Sequence, residues 1–353
     1  MFDTAPYYLV LLLAAIPALT DKIKKPGLGW IGFFILLLIF VGFRYEVGGD
    51  WYGYLIIADE WRNAEFSELY GRAESGFYFL VWLSDHLGLD IYGANVITTA
   101  IFLYGVFKYC GKQLNPWLAI FTSLPFLVIV IGMSANRQAA AIGITLLALA
   151  DWKESAIVKK IILICFAALF HTSAIVFLVF VVADSRMSIV RKIAASTLVL
   201  VIAVFIFHPD ESISRYQSSY IDARDINVSY GALQQLLLNV LPALVFLFMS
   251  MRSQSFRMKV PLWNVIMVMS IMSIILVPMS FMYSTAAARI SFYLFPISIS
   301  FFASLPEMFD VSTKYIVKSF VVFYGFLVLG LWLNFANTAF RHIPYNNVLI
   351  HFA

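Results

Sequence analysis

Five short stretches of this sequence hold residue types able to grip an anion or move a proton. FRYEVGGDWYGY (43 to 54) contains Arg44 and Asp50, AESGF contains Glu74, SANRQAAA contains Arg137, FHTSA contains His171 and STAAARISFY contains Arg289. Arginine suits phosphate recognition because its planar guanidinium offers a fork of donors and stays charged, whereas lysine supplies a point charge. Arg137 opens a predicted helix in which Ser134 or Asn136 can cap and the free backbone N–H groups add their own preference for anions. Asp50 follows two glycines, which permit a tight backbone excursion and present the carboxylate beside Trp51, Tyr52 and Tyr54. A carboxylate beside aromatic faces suits a sugar, whose apolar faces stack while its hydroxyls donate to acids. Glu74 is a second acid of this kind, or the cap of the short helix that follows it.

Each residue also has a plainer reading. A single arginine at a membrane edge snorkels or pairs with a loop acid, the rings of 51 to 54 form an interfacial belt, and a lone histidine such as His171 is more often structural than a base. Arg44, Arg137 and Arg289 as a set are harder to dismiss, since charges held at a membrane are costly and tend to mark sites. No nucleotide-binding loop, HExxH or GxSxG occurs, and no carboxylate pair has the spacing of a metal-dependent sugar transferase. The chemistry would therefore draw on an activated substrate rather than on ATP, and no cofactor or metal is expected. Cys110 and Cys165 lack CxxC or Cys/His spacing, so neither a disulfide framework nor a zinc site is indicated.

Membrane helices must position these groups. Of 353 residues, 62% are hydrophobic and 12% charged, and the mean hydropathy is +0.87. A soluble domain could not bury that much apolar surface. The apolar runs recur along the whole chain without strand alternation, which implies an all-α polytopic protein forming a single integral membrane domain over residues 1–353. The formal charge of +4 is spread over many short loops, with no basic arm for nucleic acid.

Runs of membrane length, with two short helices meeting at His171, give roughly 12 transmembrane helices. Residues 75 to 88 are too short and interrupted to span, which predicts a re-entrant or interfacial helix. With the lysine-bearing loops in the cytoplasm, the outer side holds cations only as Arg44, Arg62, Arg72, Arg137, Arg215, Arg224, Arg289 and Arg341. Two outer loops (44–75 and 209–231) and an outer C-terminal tail (337–353) result. The first loop carries seven acids against three arginines, unlike a lipid-binding polybasic patch.

In order along the chain, Arg44, Val47-Gly48-Gly49-Asp50-Trp51-Tyr52 with Tyr54, Glu74-Ser75-Gly76-Phe77, Asn136-Arg137-Gln138 with Ala139 to Ala141, Phe170-His171-Thr172-Ser173-Ala174, and Arg289 with Phe292-Tyr293 form a pattern that resembles the EpsG-like branch of the Wzy-type polysaccharide repeat-unit polymerases. The likeness runs from about residue 30 to about residue 300. It departs at Gly49, where other members often carry a small hydroxyl residue, and the tail from Asn337 onward has no matching motif.

The resemblance implies a glycosyltransferase C-like enzyme of the bacterial cytoplasmic (inner) membrane whose active site faces the periplasm or cell exterior. Its substrate would be an undecaprenyl-pyrophosphate-linked oligosaccharide, polymerised into O-antigen, capsule or exopolysaccharide by moving the growing glycan to the non-reducing end of a new lipid-linked repeat. The reaction would be metal-independent and, if one displacement occurs at the anomeric carbon, inverting, with membrane lipid, a chain-length regulator and a flippase as candidate partners and no nucleic acid. In that frame Arg137 and Arg289 hold the donor pyrophosphate, and Arg44 assists them or positions the acceptor pyrophosphate. Asp50 is the first choice for the base, His171 the second, and Glu74 orients sugar hydroxyls. Trp51, Tyr54, Arg215 and Tyr293 are weaker candidates for sugar contact or loop closure. Two other functions use similar parts. An O-antigen ligase would carry a large late outer loop rich in arginine and histidine, and a flippase or transporter would place charges near the bilayer midplane with internal repeats.

Overall fold

The computed structural model describes residues 2–20, 27–185, 187–207, 229 and 231–351. Arg215, Arg224 and nearly all of the expected second outer loop lie outside the described residues. In chain order the helices are α1 (Ala5–Leu19), α2 (Leu28–Gly42), α3 (Trp51–Glu60), α4 (Ser75–His86), α5 (Asp90–Gly111), α6 (Pro116–Ser134), α7 (Asn136–Ala150), α8 (Ile157–Ala168), α9 (Thr172–Ala183), α10 (Ile189–Phe207), α11 (Ala232–Arg252), α12 (Gln254–Lys259), α13 (Trp263–Ser280), α14 (Ser284–Met308) and α15 (Val311–Phe335). No strand occurs among the described residues, which hold only an isolated antiparallel bridge between Arg44 and Asn347. The chain is an all-α membrane protein.

By length and composition, six described helices can cross a membrane: α5, α6, α11, α13, α14 and α15. α1, α2 and α9 are apolar but shorter. The sequence expectation of roughly 12 spans thus exceeds what helix length supports. α6 is the central helix, with 89% of its apolar window buried, whereas α15 lies at the periphery with 33%. Ile316, Phe320, Phe323, Leu327 and Leu331 form an exposed stripe along α15 at helical spacing, a face made for lipid.

Lipid is as apolar as the helices, so they associate through close packing rather than hydrophobic exclusion. The tightest crossing joins α5 to α7, where a Cβ on Gly105 would lie 1.8 Å from the Gly143 carbonyl oxygen. α8 and α9 form a hairpin with His171 at its tip. Asp184, just past α9, meets Lys160 near the start of α8 at 4.0 Å and accepts from the Trp152 indole at 2.9 Å, so both ends of the hairpin return to one face.

That face collects lysines. Lys112 pairs with Asp151 and Glu154, Lys159 with Asp151, Lys314 with Glu307, and Lys259 donates to the Glu307 carbonyl. Asn115 ties the two groups together through Glu307 at 3.0 Å. The motif arginines gather at the opposite end of the bundle. There the 44–75 segment is an ordered cap, made of α3, a 3-10 turn over Phe66–Leu69 and the 12-residue α4, which is too short to span.

Candidate functional site

The last turn of α2 winds wide over Leu38–Gly42 and leaves carbonyls without helical partners. Arg44 folds back on them. Its Nη1 donates to Val41 O at 2.8 Å, its Nε to Val47 O at 3.0 Å, and its Nη2 to the Asn136 side-chain oxygen. Asn136 in turn donates to the Asn95 side chain on α5. The C-terminal tail completes the set: Tyr345 donates to Phe40 O, Asn347 to Ile39 O, and the Val348 N–H to Phe43 O. Arg44 ends with no exposed surface. It is a brace between α2, α7 and the tail, and the structure leaves it no face for the ligand expected of it.

The glycines after it have distinct tasks. Gly48 has φ +119°, and a Cβ there would sit 1.9 Å from the Met133 carbonyl oxygen, so only glycine lets this loop lie on the end of α6. Gly49 donates to Ser134 Oγ at 3.2 Å. These contacts set Asp50 at the start of α3 with its side chain exposed and no capping bond. The guanidinium groups acting on its carboxyl are those of Arg137, Arg289, Arg341 and Arg44, from four separate parts of the chain. Lost hydration among these neighbours raises its pKa, and the four cations oppose that rise. Asp50 is thus exposed while four guanidinium groups act on its carboxyl.

Arg137 is the half-buried member. Its Nη1 lies 2.7 Å from Glu74, whose side chain is 13% exposed, and its guanidinium stands 5.8 Å from the Phe77 ring centre. Glu74 holds a left-handed backbone (φ 59°) at the start of α4, a strain that costs about 1–3 kcal/mol and points to a positional demand. Its other oxygen accepts from the Thr172 N–H at 3.3 Å and faces His171 Nε2 at 3.8 Å. Both carboxylate oxygens thus have protein partners, and Glu74 ties Arg137 to the hairpin tip.

His171 caps the 3-10 turn that opens α9, and its Nδ1 accepts from the Ser173 N–H at 3.3 Å with Ser173 Oγ at 2.7 Å. The proton of the neutral ring therefore sits on Nε2, toward Glu74. Burial pulls its pKa down to about 4; Glu74 opposes this, and Arg289 and Arg137 add to it. The Tyr293 hydroxyl lies 3.1 Å from Ser173 Oγ, within hydrogen-bond reach. Gln138, the neighbour of Arg137, donates to the Arg289 carbonyl at 2.7 Å, which places α14 beside the start of α7. Arg289 itself is exposed.

The cluster is recessed. α7 has 15 residues, so Arg137 stands about 22 Å above the lysine face, against about 30 Å for a bilayer core. Asn136 independently bonds Asn95, five residues into α5, or about 7 Å along that helix from its first residue.

Sequence reasoning names most of these groups and misses others. Trp51 and Tyr54, expected to meet sugar, are 3% and 2% exposed and pack into the core, and Tyr293 is buried at 1%. Tyr52, one residue away on α3, is 68% exposed. Arg341 enters the sequence reading only as an outer cation; it donates to the Gly49 carbonyl from a tail without a motif. Ser134, Gln138 and Ser173 carry contacts that only the packed structure shows. Among the described residues no three His, Cys, Asp or Glu side chains converge as a metal site would require.

A polytopic helical membrane protein with a recessed arginine and carboxylate cluster at one end is the class that fold and site define. The chain belongs to the EpsG family, whose family model matches residues 28–347. That match takes in most of the tail that the motif comparison left unassigned, and with it Arg341. The family places the protein in polysaccharide biosynthesis at a membrane. No curated protein and no solved structure shows a significant match to the chain.

Proposed function

We propose that the protein polymerises oligosaccharide repeats carried on undecaprenyl pyrophosphate, at the outer face of a bacterial cytoplasmic membrane, within a glycosyltransferase C-like bundle of roughly 12 membrane passes that counts the shorter helices. Family membership supplies the biosynthetic setting. The observation that supports the rest is the convergence of Arg137, Arg289 and Asp50, which stand far apart in sequence, on one recessed mouth opposite the lysine face. Lysine-rich ends face the cytoplasm by the positive-inside rule, so this mouth faces outward, where a lipid-borne diphosphate would hang.

In this reading Arg137 and Arg289 bind the donor diphosphate and stabilise the charge that gathers on it as the glycosyl bond breaks, in a site partly shielded from water. The hydroxyl at the non-reducing end of a second lipid-linked repeat attacks the anomeric carbon of the donor glycan. The new glycosidic bond forms as the carbon–oxygen bond to the diphosphate breaks, undecaprenyl pyrophosphate leaves, and the hydroxyl proton passes to Asp50. One displacement inverts the anomeric centre. Asp50 is preferred over His171 as the base because it is exposed, whereas His171 has one ring nitrogen engaged by Ser173 and the other turned to Glu74. Arg44 sets the floor of the mouth without touching substrate.

The test supplies purified protein with its lipid-linked repeat and follows the polymer ladder, together with Asp50→Asn, Arg137→Ala and Arg289→Ala. Loss of ladder in all three while the proteins stay folded is the expected result. Equal ladders from all three remove this site. Movement of the lipid-linked repeat across vesicles without a ladder makes the protein a transporter.

A further inference from the structure

We propose that Arg341, carried by the C-terminal tail, is a third arginine of the diphosphate grip and stands where Arg44, folded into the floor, cannot. The proposal rests on the diphosphate reading of the same mouth. Two arginines that sequence reasoning ranks in the opposite order exchange roles: Arg44 has no accessible surface, and Arg341 is exposed.

The tail delivers Arg341 by a built connection. Gly48 N–H donates to the Arg341 carbonyl at 2.8 Å, and Arg341 Nη1 donates to the Gly49 carbonyl at 2.5 Å. Backbone and side chain are thus both clamped to the residues that precede Asp50. His342 anchors the next position: it is 1% exposed, Trp332 packs edge-on at 4.8 Å, and Tyr7 donates to its carbonyl at 2.6 Å. Beyond it, the Arg44 and Asn347 bridge fastens the tail to the end of α2. A tail that served only to brace this loop would need its backbone, the buried His342 and one neutral donor to Gly49 at 341; it would not need a guanidinium. A guanidinium with one nitrogen on Gly49 still offers donors to an oxyanion from its remaining N–H groups. It reaches the mouth from the side of the Gly48–Gly49 loop, whereas Arg137 and Arg289 reach it from α7 and α14. A diphosphate has two phosphoryl groups to hold, and cations from separate elements can engage both.

Purified full-length protein in lipid nanodiscs, with inorganic pyrophosphate as probe and sulfate as anion control, tests this. Arg341→Ala, Arg341→Gln and Arg341→Lys are compared with wild type. Glutamine can still donate to the Gly49 carbonyl without charge, so Arg341→Gln separates bracing from anion binding. The expected result is pyrophosphate affinity weaker by about 10- to 100-fold in the alanine and glutamine variants, an intermediate loss in the lysine variant, and unchanged melting for glutamine. KM for the lipid-linked repeat should rise with it. Because Arg341 opposes the rise in the Asp50 pKa, the acid limb of the Arg341→Gln profile should also move to higher pH. Wild-type affinity in Arg341→Gln, or no pyrophosphate affinity in wild type, overturns the proposal. The ladder made by Arg137→Ala in the same preparation decides separately whether the polymerase reading stands.

Discussion

Replacing Gly48 with alanine should silence the protein while leaving its helices intact. The added Cβ would stand 1.9 Å from the Met133 carbonyl oxygen, where real contacts do not fall below 3.0 Å, so the loop or the end of α6 must yield by 1.1 Å. The positive φ adds about 1–3 kcal/mol of strain for a residue with a side chain. Asp50 follows two residues later, and Ser134, on the other side of the contact, adjoins the Asn136–Arg137 turn, so the displacement moves the carboxylate and a guanidinium apart. A shift of about 1 Å in reacting groups costs on the order of 100-fold in rate. Gly53 is the control: it lies within α3, and a Cβ added there would meet no atom within 4 Å, so Gly53→Ala should keep activity and gain about 0.8–1 kcal/mol of helix stability. The assay is the rate of ladder formation in proteoliposomes, read beside thermal unfolding. Wild-type rate in Gly48→Ala would refute the claim that close approach of this loop to α6 builds the site.

Other outcomes follow from the same geometry. Glu74→Gln removes the charge that holds Arg137 at 2.7 Å; it should lower ladder rate by about 10- to 100-fold and stability by about 1–3 kcal/mol, discounted because Arg137 is partly exposed. Arg44→Lys loses the fork that reaches Val41, Val47 and Asn136 together; unfolding should register a loss of about 2–3 kcal/mol, with pyrophosphate affinity nearly kept in the protein that remains folded. Asp50→Asn should lower rate by at least about 100-fold without lowering the melting temperature at neutral pH. The sign follows from the raised pKa of Asp50: the fold disfavours the ionised form, so the base is present above the folded pKa and lost as pH falls through it, and the stability cost of ionisation appears as pH rises through the same window. In wild type the acid limb of activity should therefore lie above the ordinary range for an aspartate, with no further step near pH 6–7 from His171, which is already neutral there.

The membrane class, the helical periodicity, the gathering of lysines in loops at one end of the bundle and the residues with chemical means were all legible along the chain, because each depends on neighbours within a few residues. Runs of apolar residues did not give the helix lengths: six described helices are long enough to cross a membrane, whereas α1, α2 and α9 are shorter. What a charged side chain does was not legible. Arg44 and Arg341 are the same residue type near the same membrane edge, yet one is enclosed by α2, α7 and the tail and the other is held open. The pairing of Arg137 with Glu74 spans 63 positions and the Arg341 bond to Gly49 spans 292. Burial and partnership of this kind come from which helices pack together, a property that no local pattern of residues encodes, and so the tertiary structure alone decided that Arg44 is enclosed as a brace and Arg341 is left exposed.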